Sequence, residues 1–251
     1  MSFTSRSFVR RVTGTVCLAF ATAGAGALAA DNDWMDVEGR IQYGFYTEDV
    51  RALADVAEQL TRGDEAQEPL REYYAGLANY RLALVLATRD KGRARDAIER
   101  CVDSLDAAVK NEADFAAALA LQSACLRTLS ELKPWKPLAG SRSSGQLEKA
   151  VKLAPKDPRV LMLSAVESME GDKIDDASLA RLKKAVAAFE AERQGVDRTP
   201  GWGAAEVYTY LGRGYLGRGD VLAARDALER ALLIAPDFAM ARRLLARITA
   251  G

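Results

Sequence analysis

Residues 208–236 read YTYLGRGYLGRGDVLAARDALERALLIAP, and their spacing decides the fold. Tyr208, Leu211 and Tyr215 fall three and four residues apart, which makes one apolar stripe of a helix. Ala224, Leu228 and Ala231 repeat that spacing on a second helix. Gly212 and Ala224 are small where two antiparallel helices have to cross closely. Gly219 lies between the stripes, where the chain turns, and Pro236 marks the stop of the second helix. The segment reads as a helical hairpin.

The pattern recurs. A frame of Leu-x-x-Ala followed by Leu or Val starts at Leu105, Leu147, Leu182 and Leu228, as LDAAV, LEKAV, LKKAV and LERAL. LEKAVKLAP, from Leu147, parallels LERALLIAP, from Leu228, and DFAAA around Phe115 matches DFAMA around Phe238. The frame alanines are Ala108, Ala150, Ala185 and Ala231, spaced by 42, 35 and 46 residues.

This set resembles the tetratricopeptide repeat (TPR), a helix–turn–helix unit of about 34 residues that stacks into solenoids. The middle spacing approaches that length, and the other two imply insertions in loops. The resemblance spans residues 66–251 and is most specific at its C-terminal copy. In the first copy Gly76 takes the small crossing position, but the flanking aromatics do not match. What it implies is an all-α, TPR-like helical-hairpin solenoid of about four repeats with a C-terminal cap helix. It also implies a non-catalytic adaptor that needs no cofactor and binds a protein or peptide. In such arrays the first helix of each repeat lines an inner groove. Carried over copy by copy, the frame places Tyr73, Tyr80, Arg127, Arg159, Met162, Glu206 and Arg213 there. Aromatic, methionine and arginine side chains suit an interface. Packing at the surface or at the edge of the core is the alternative for each of them.

The N-terminus differs in kind. Arg6, Arg10 and Arg11 precede an uncharged run from residue 12 to residue 30, which ends in Ala27-Leu28-Ala29. Basic, apolar and small-residue segments in that order predict a signal peptide over residues 1–30, cleaved on export. An uncleaved anchor is the alternative, since the run is almost long enough to span a bilayer, although Ala, Gly and Thr make it weakly hydrophobic. The periplasm is the expected compartment, with secretion beyond it the alternative. Nothing after residue 30 predicts a membrane span. The whole chain balances 35 basic against 35 acidic residues. Cleavage removes three arginines and no acid, and the slightly acidic remainder argues against nucleic-acid binding.

Residues 31–65 read as an N-terminal helical lead-in, with Thr47 as the N-cap of a helix that runs to about residue 62. Further helices are expected near 66–88, 93–111, 113–132, 145–154, 158–170, 176–193, 203–217, 219–234 and 237–249. In the helix near 66–88, Arg81 breaks the apolar stripe. Two prolines, two glycines and three serines predict a loop over 133–145, which is either a harmless insertion or carries Trp135 as an exposed partner anchor at the groove rim. Phe238, Ala241, Leu244, Leu245 and Ile248 face the core from the last helix, and Arg242, Arg243 and Arg247 take its outer side as a solubilising cap.

The chain has no histidine, which removes Ser-His-Asp hydrolysis, Cys-His thiol chemistry and His-ligated zinc. GRGYLGRG at 212–219 follows a helix pattern instead of a strand, so its glycines are not a nucleotide fingerprint. Close carboxylates such as Glu167 with Glu170, or Asp175 with Asp176, are expected by chance among 35 acidic residues. Ser130 and Lys133 form a lone SxxK without its companion motifs. An enzyme is not the expectation. Cys101 and Cys125 lie symmetrically about a predicted turn, which levels them on two antiparallel helices. Packed helix axes, about 8–10 Å apart, stand against a bridge. A disulfide and two buried fillers therefore both stay open. A self-associating scaffold and a groove-type binder of a small ligand or envelope polymer are the alternatives to the adaptor.

Overall fold

The computed structural model describes residues 1, 30–62, 68–133, 138–192 and 200–249. Almost all of the expected signal peptide, and Trp135, lie outside the described residues. Eleven helices are described, with no strand among these residues. They are α1 Ala30–Tyr46, α2 Val50–Thr61, α3 Pro69–Leu86, α4 Lys91–Asn111, α5 Ala116–Leu132 and α6 Leu138–Leu153. After them come α7 Pro158–Glu167, α8 Asp176–Glu192, α9 Ala204–Gly217, α10 Val221–Ile234 and α11 Ala239–Thr249. Consecutive helices pack as hairpins, α1 with α2 through α9 with α10, and α11 closes the stack against α10 and α9.

The repeat frame explains the hairpins physically. A Cβ on Gly212 would sit 2.7 Å from Leu228 Cγ, and one on Gly76 2.6 Å from Leu105 Cγ. The leading leucine of each of these frame copies thus fills a hollow that only glycine leaves. Gly44 offers the same hollow to Leu53, so α1 and α2 form a hairpin of the same design. The frame alanines Ala108, Ala150, Ala185 and Ala231 are fully buried. Gly219 turns the chain between α9 and α10 at φ +77°, a conformation that costs glycine little, and Asp220 caps α10 by accepting from Ala223 N.

Two expectations change and one open question is answered. The cap of α2 is Asp49, whose carboxylate accepts from Arg51 N and Ala52 N, while Thr47 Oγ donates back to Tyr43 O at the end of α1. The expected loop over 133–145 is helical from Leu138 onward. Its serines and glycines are poor helix formers, but tertiary contact overrides that preference. Ser143 is buried, 3.0 Å from Ser123 O and 3.1 Å from Glu167 Oε1, which ties α6 to α5 and α7. The question left open at Cys101 and Cys125 is resolved as a disulfide with Cα atoms 6.3 Å apart. Axis separation overstates the gap, because each Cα lies about 2.3 Å off its axis toward the neighbour.

Candidate functional site

The first helices of the hairpins turn one face inward, and that face is where most of the expected groove residues lie. They meet each other there instead of facing solvent. Arg81 of α3 forms a buried ion pair with Glu206 of α9, across 125 residues of sequence. Tyr46 of α1 donates to the other oxygen of Glu206 at 2.9 Å. The Arg81 guanidinium lies 4.0 Å from the centre of the Phe45 ring and 4.8 Å from that of Trp202. Trp202 Nε1 donates to Tyr73 Oη at 2.7 Å. The break that Arg81 makes in its apolar stripe is therefore one half of an interior pair.

Glu38 of α1 is the second centre. Its carboxylate accepts from Tyr74 Oη at 2.7 Å, Gly201 N at 2.9 Å and Gln42 Nε2 at 2.7 Å. Burial raises its pKa above the ordinary carboxylate value, against the opposing pull of the Gly201 and Tyr74 hydrogen bonds. Trp34 stacks on Tyr74 with ring centres 5.6 Å apart. Phe238, just ahead of α11, packs on Phe45 and Tyr46. The first hairpin thus reaches the last, and the inner face is closed by its own side chains.

The expected groove residues differ in exposure. Tyr73, Tyr80, Arg159, Met162 and Glu206 are buried and present no surface to a partner in this conformation. Arg159 is held by two bonds to Glu192, at 2.8 and 2.9 Å. Arg127 and Arg213 are half-buried. Arg127 pairs with Glu131 at 3.4 Å, and Arg213 pairs with Asp172 at 3.1 Å and donates to Gly171 O. Phe45, Tyr46 and Glu38 of α1 cover part of the inner face, against Arg81, Glu206, Tyr74 and Gly201. Sequence reasoning missed Glu38 and Trp202, because no local pattern signals that the chain just ahead of α9 meets α1 and α3. The C-terminal arginines find partners too: Arg243 with Glu48 at 2.6 Å, and Arg247 with Asp172 at 3.5 Å.

The candidate carboxylate and SxxK residues serve the scaffold. Asp175 accepts from Ser178 N at 2.6 Å, Asp176 pairs with Arg218, and Lys133 pairs with Glu99. Ser130 Oγ donates to Arg127 O. Among the described residues no group of three Cys, Asp or Glu is placed to hold a metal ion.

Another concavity lies away from the inner face. A cleft of about 590 Å³ runs between α6 and α8, floored by Leu147, Val151, Val160 and Leu161, with Arg181 and Lys184 on the α8 rim.

No protein-family model and no curated protein matches this sequence. Among solved structures, the chain is similar to TTC0263, a thermophilic TPR protein of Thermus thermophilus. The TM-score is 0.53 and the identity 14%, over 89% of this chain and 100% of that one. The fold is a TPR-like solenoid. Yeast Tom70 also aligns, at TM-score 0.38 and 12% identity over 93% of this chain and 59% of that one, too low a score to add weight. In TPR terms α3, α5, α7 and α9 are the inner helices, and the cleft lies on the outer side between two second helices.

Proposed function

We propose that this chain is an exported, non-catalytic scaffold that binds a protein partner in the cell envelope. The observation that carries the reading is the TPR-like stack of helical hairpins, an architecture whose extended surfaces suit protein recognition. Export is supported by the basic–apolar–small order of the first 30 residues and by a buried disulfide, which suits an oxidising compartment. No helix among the described residues is long and apolar enough to cross a membrane. The absence of histidine supports a role without catalysis.

Closure of the inner face moves the expected binding surface outward. The test is photo-crosslinking in intact cells, with the crosslinking residue placed in turn on exposed positions of the outer helices. A discrete foreign protein captured from specific positions supports the scaffold. Uniform absence of foreign adducts at every position overturns it.

Self-association is the second reading, favoured by Met35 and Tyr43. They are 61% and 60% exposed on α1. Light scattering across a concentration series decides it, with Met35→Lys/Tyr43→Lys expected to return any dimer to monomer.

A further inference from the structure

The cleft between α6 and α8 leaves apolar side chains open to solvent. Val151 on α6 is 38% exposed, and Leu161 is half-buried in the cleft floor. The lining of α6 begins at Ser144 and includes Leu147 and Val151, the three- and four-residue steps of one helix face, with Pro155 just beyond the end of the helix. At a rise of about 1.5 Å per residue that face is roughly 10 Å long, which matches about two turns of another helix.

The charges on the rim are unequal. Glu148 is neutralised by Lys152 at 2.6 Å, and Glu167 is half-buried beside the Ser143 hydroxyl at 3.1 Å. Arg181 and Lys184 are exposed and neither forms an ion pair among the described residues, although Arg181 donates to Ser178 Oγ at 3.4 Å and lies in the field of the Asp175 carboxylate. The charge left facing solvent is therefore positive and sits on one side, above an apolar floor. An extended peptide has no strand edge here to pair with, so its backbone N–H and C=O groups would be left unbonded over that floor. A helix satisfies its own backbone and offers apolar anchors at matching intervals.

From this juxtaposition of apolar floor, two-turn length and one-sided basic rim, we infer that the α6–α8 cleft docks an amphipathic helix of a partner protein, acidic along one edge. The inference rests on the scaffold reading and names its surface and the chemistry of its partner. The helix fills the gap between two second helices of the solenoid. Its leucine-like residues cover Leu147, Val151 and Leu161, and its carboxylates reach Arg181 and Lys184.

The probes are two labelled helical peptides of about 15 residues. Both carry leucine at i, i+4 and i+7, one with glutamate and the other with lysine on the flanking edge. Fluorescence anisotropy with the purified protein should show saturable binding of the glutamate peptide alone. Val151→Asp, at an exposed site that the fold does not need, should weaken binding at least tenfold. Arg181→Glu/Lys184→Glu should abolish it and admit the lysine peptide. No saturable binding, equal binding of both peptides, indifference to the variants, or a preference for phosphatidylglycerol vesicles over the peptide overturns the inference. A crosslinker at Ser144 in cells separates the two levels. Foreign adducts from Tyr43 but never from Ser144 remove the cleft and leave the scaffold standing, whereas no foreign adduct from any position removes the scaffold.

Discussion

Removing the Glu206 carboxylate should destabilise the whole molecule, because Arg81 cannot follow it into water. The two side chains, Arg81 and Glu206, are 3% and 1% exposed. Glu206→Ala leaves the Arg81 guanidinium buried between Phe45 and Trp202 with no carboxylate, and leaves the Tyr46 hydroxyl without its acceptor. Breaking a buried pair from one side typically costs about 3–5 kcal/mol. The orphaned hydroxyl adds roughly 1 kcal/mol. Against a total stability of about 5–15 kcal/mol for a domain, that loss shifts the urea midpoint far. Replacing both partners, as Arg81→Met/Glu206→Leu, removes the uncompensated charge together with its partner. The double variant should therefore lie within about 1–2 kcal/mol of wild type, well above the sum of the single losses. Urea unfolding followed by circular dichroism gives the free energies, and tryptophan fluorescence reports on Trp202 beside the pair. A single-variant loss below about 1 kcal/mol, or strict additivity in the double variant, would refute the claim that this pair locks α3 to α9.

Ala224→Leu should cost about 1–3 kcal/mol by overpacking, since Ala224 is fully buried and its carbonyl is only 3.3 Å from a Cβ placed on Gly212. An unchanged thermal midpoint would remove the crossing from the repeat. Reducing the Cys101–Cys125 disulfide, which closes a 24-residue separation, should lower stability by about 3–4 kcal/mol on the chain-entropy account. Urea melts with and without reductant check this, with equal midpoints as the failing result. Glu38 has a raised folded-state pKa, so its native environment disfavours the charged form. Below the unfolded carboxylate pKa that penalty is absent, and it grows as pH rises from there through the folded value. Glu38→Gln, with the Gln42 amide turned to accept, should therefore gain stability relative to wild type between about pH 4 and pH 7. A flat difference across that range would show that ionisation of Glu38 is not linked to folding.

Much of the architecture was legible in the chain, and particular residues show why. Gly76 and Gly212 had to be small because a leucine four or more turns of chain away comes back onto them, and the frame Leu-x-x-Ala encodes that meeting locally. Gly219 and the helix stop before Pro236 are equally local, set by backbone conformation alone. The helical start of α6 was not legible. Its propensities argue for a loop, and packing on α5 together with the bonds of Ser143 to Ser123 and Glu167 reverses that preference.

The sequence by itself determined that this protein is a stack of helical hairpins, with its inner helices and its cap in order, because hairpin packing depends on periodicity and on small residues a short distance apart. It also placed most of the inward-facing residues on the right helices. Only the tertiary structure decided that this inner face is shut. Closure depends on α1 meeting α9 and the chain ahead of α11, through Glu38 and Gly201, Tyr46 and Glu206, and Phe45 and Phe238. Such contacts follow from the accumulated rotation of every hairpin between them, a sum that no local spacing records.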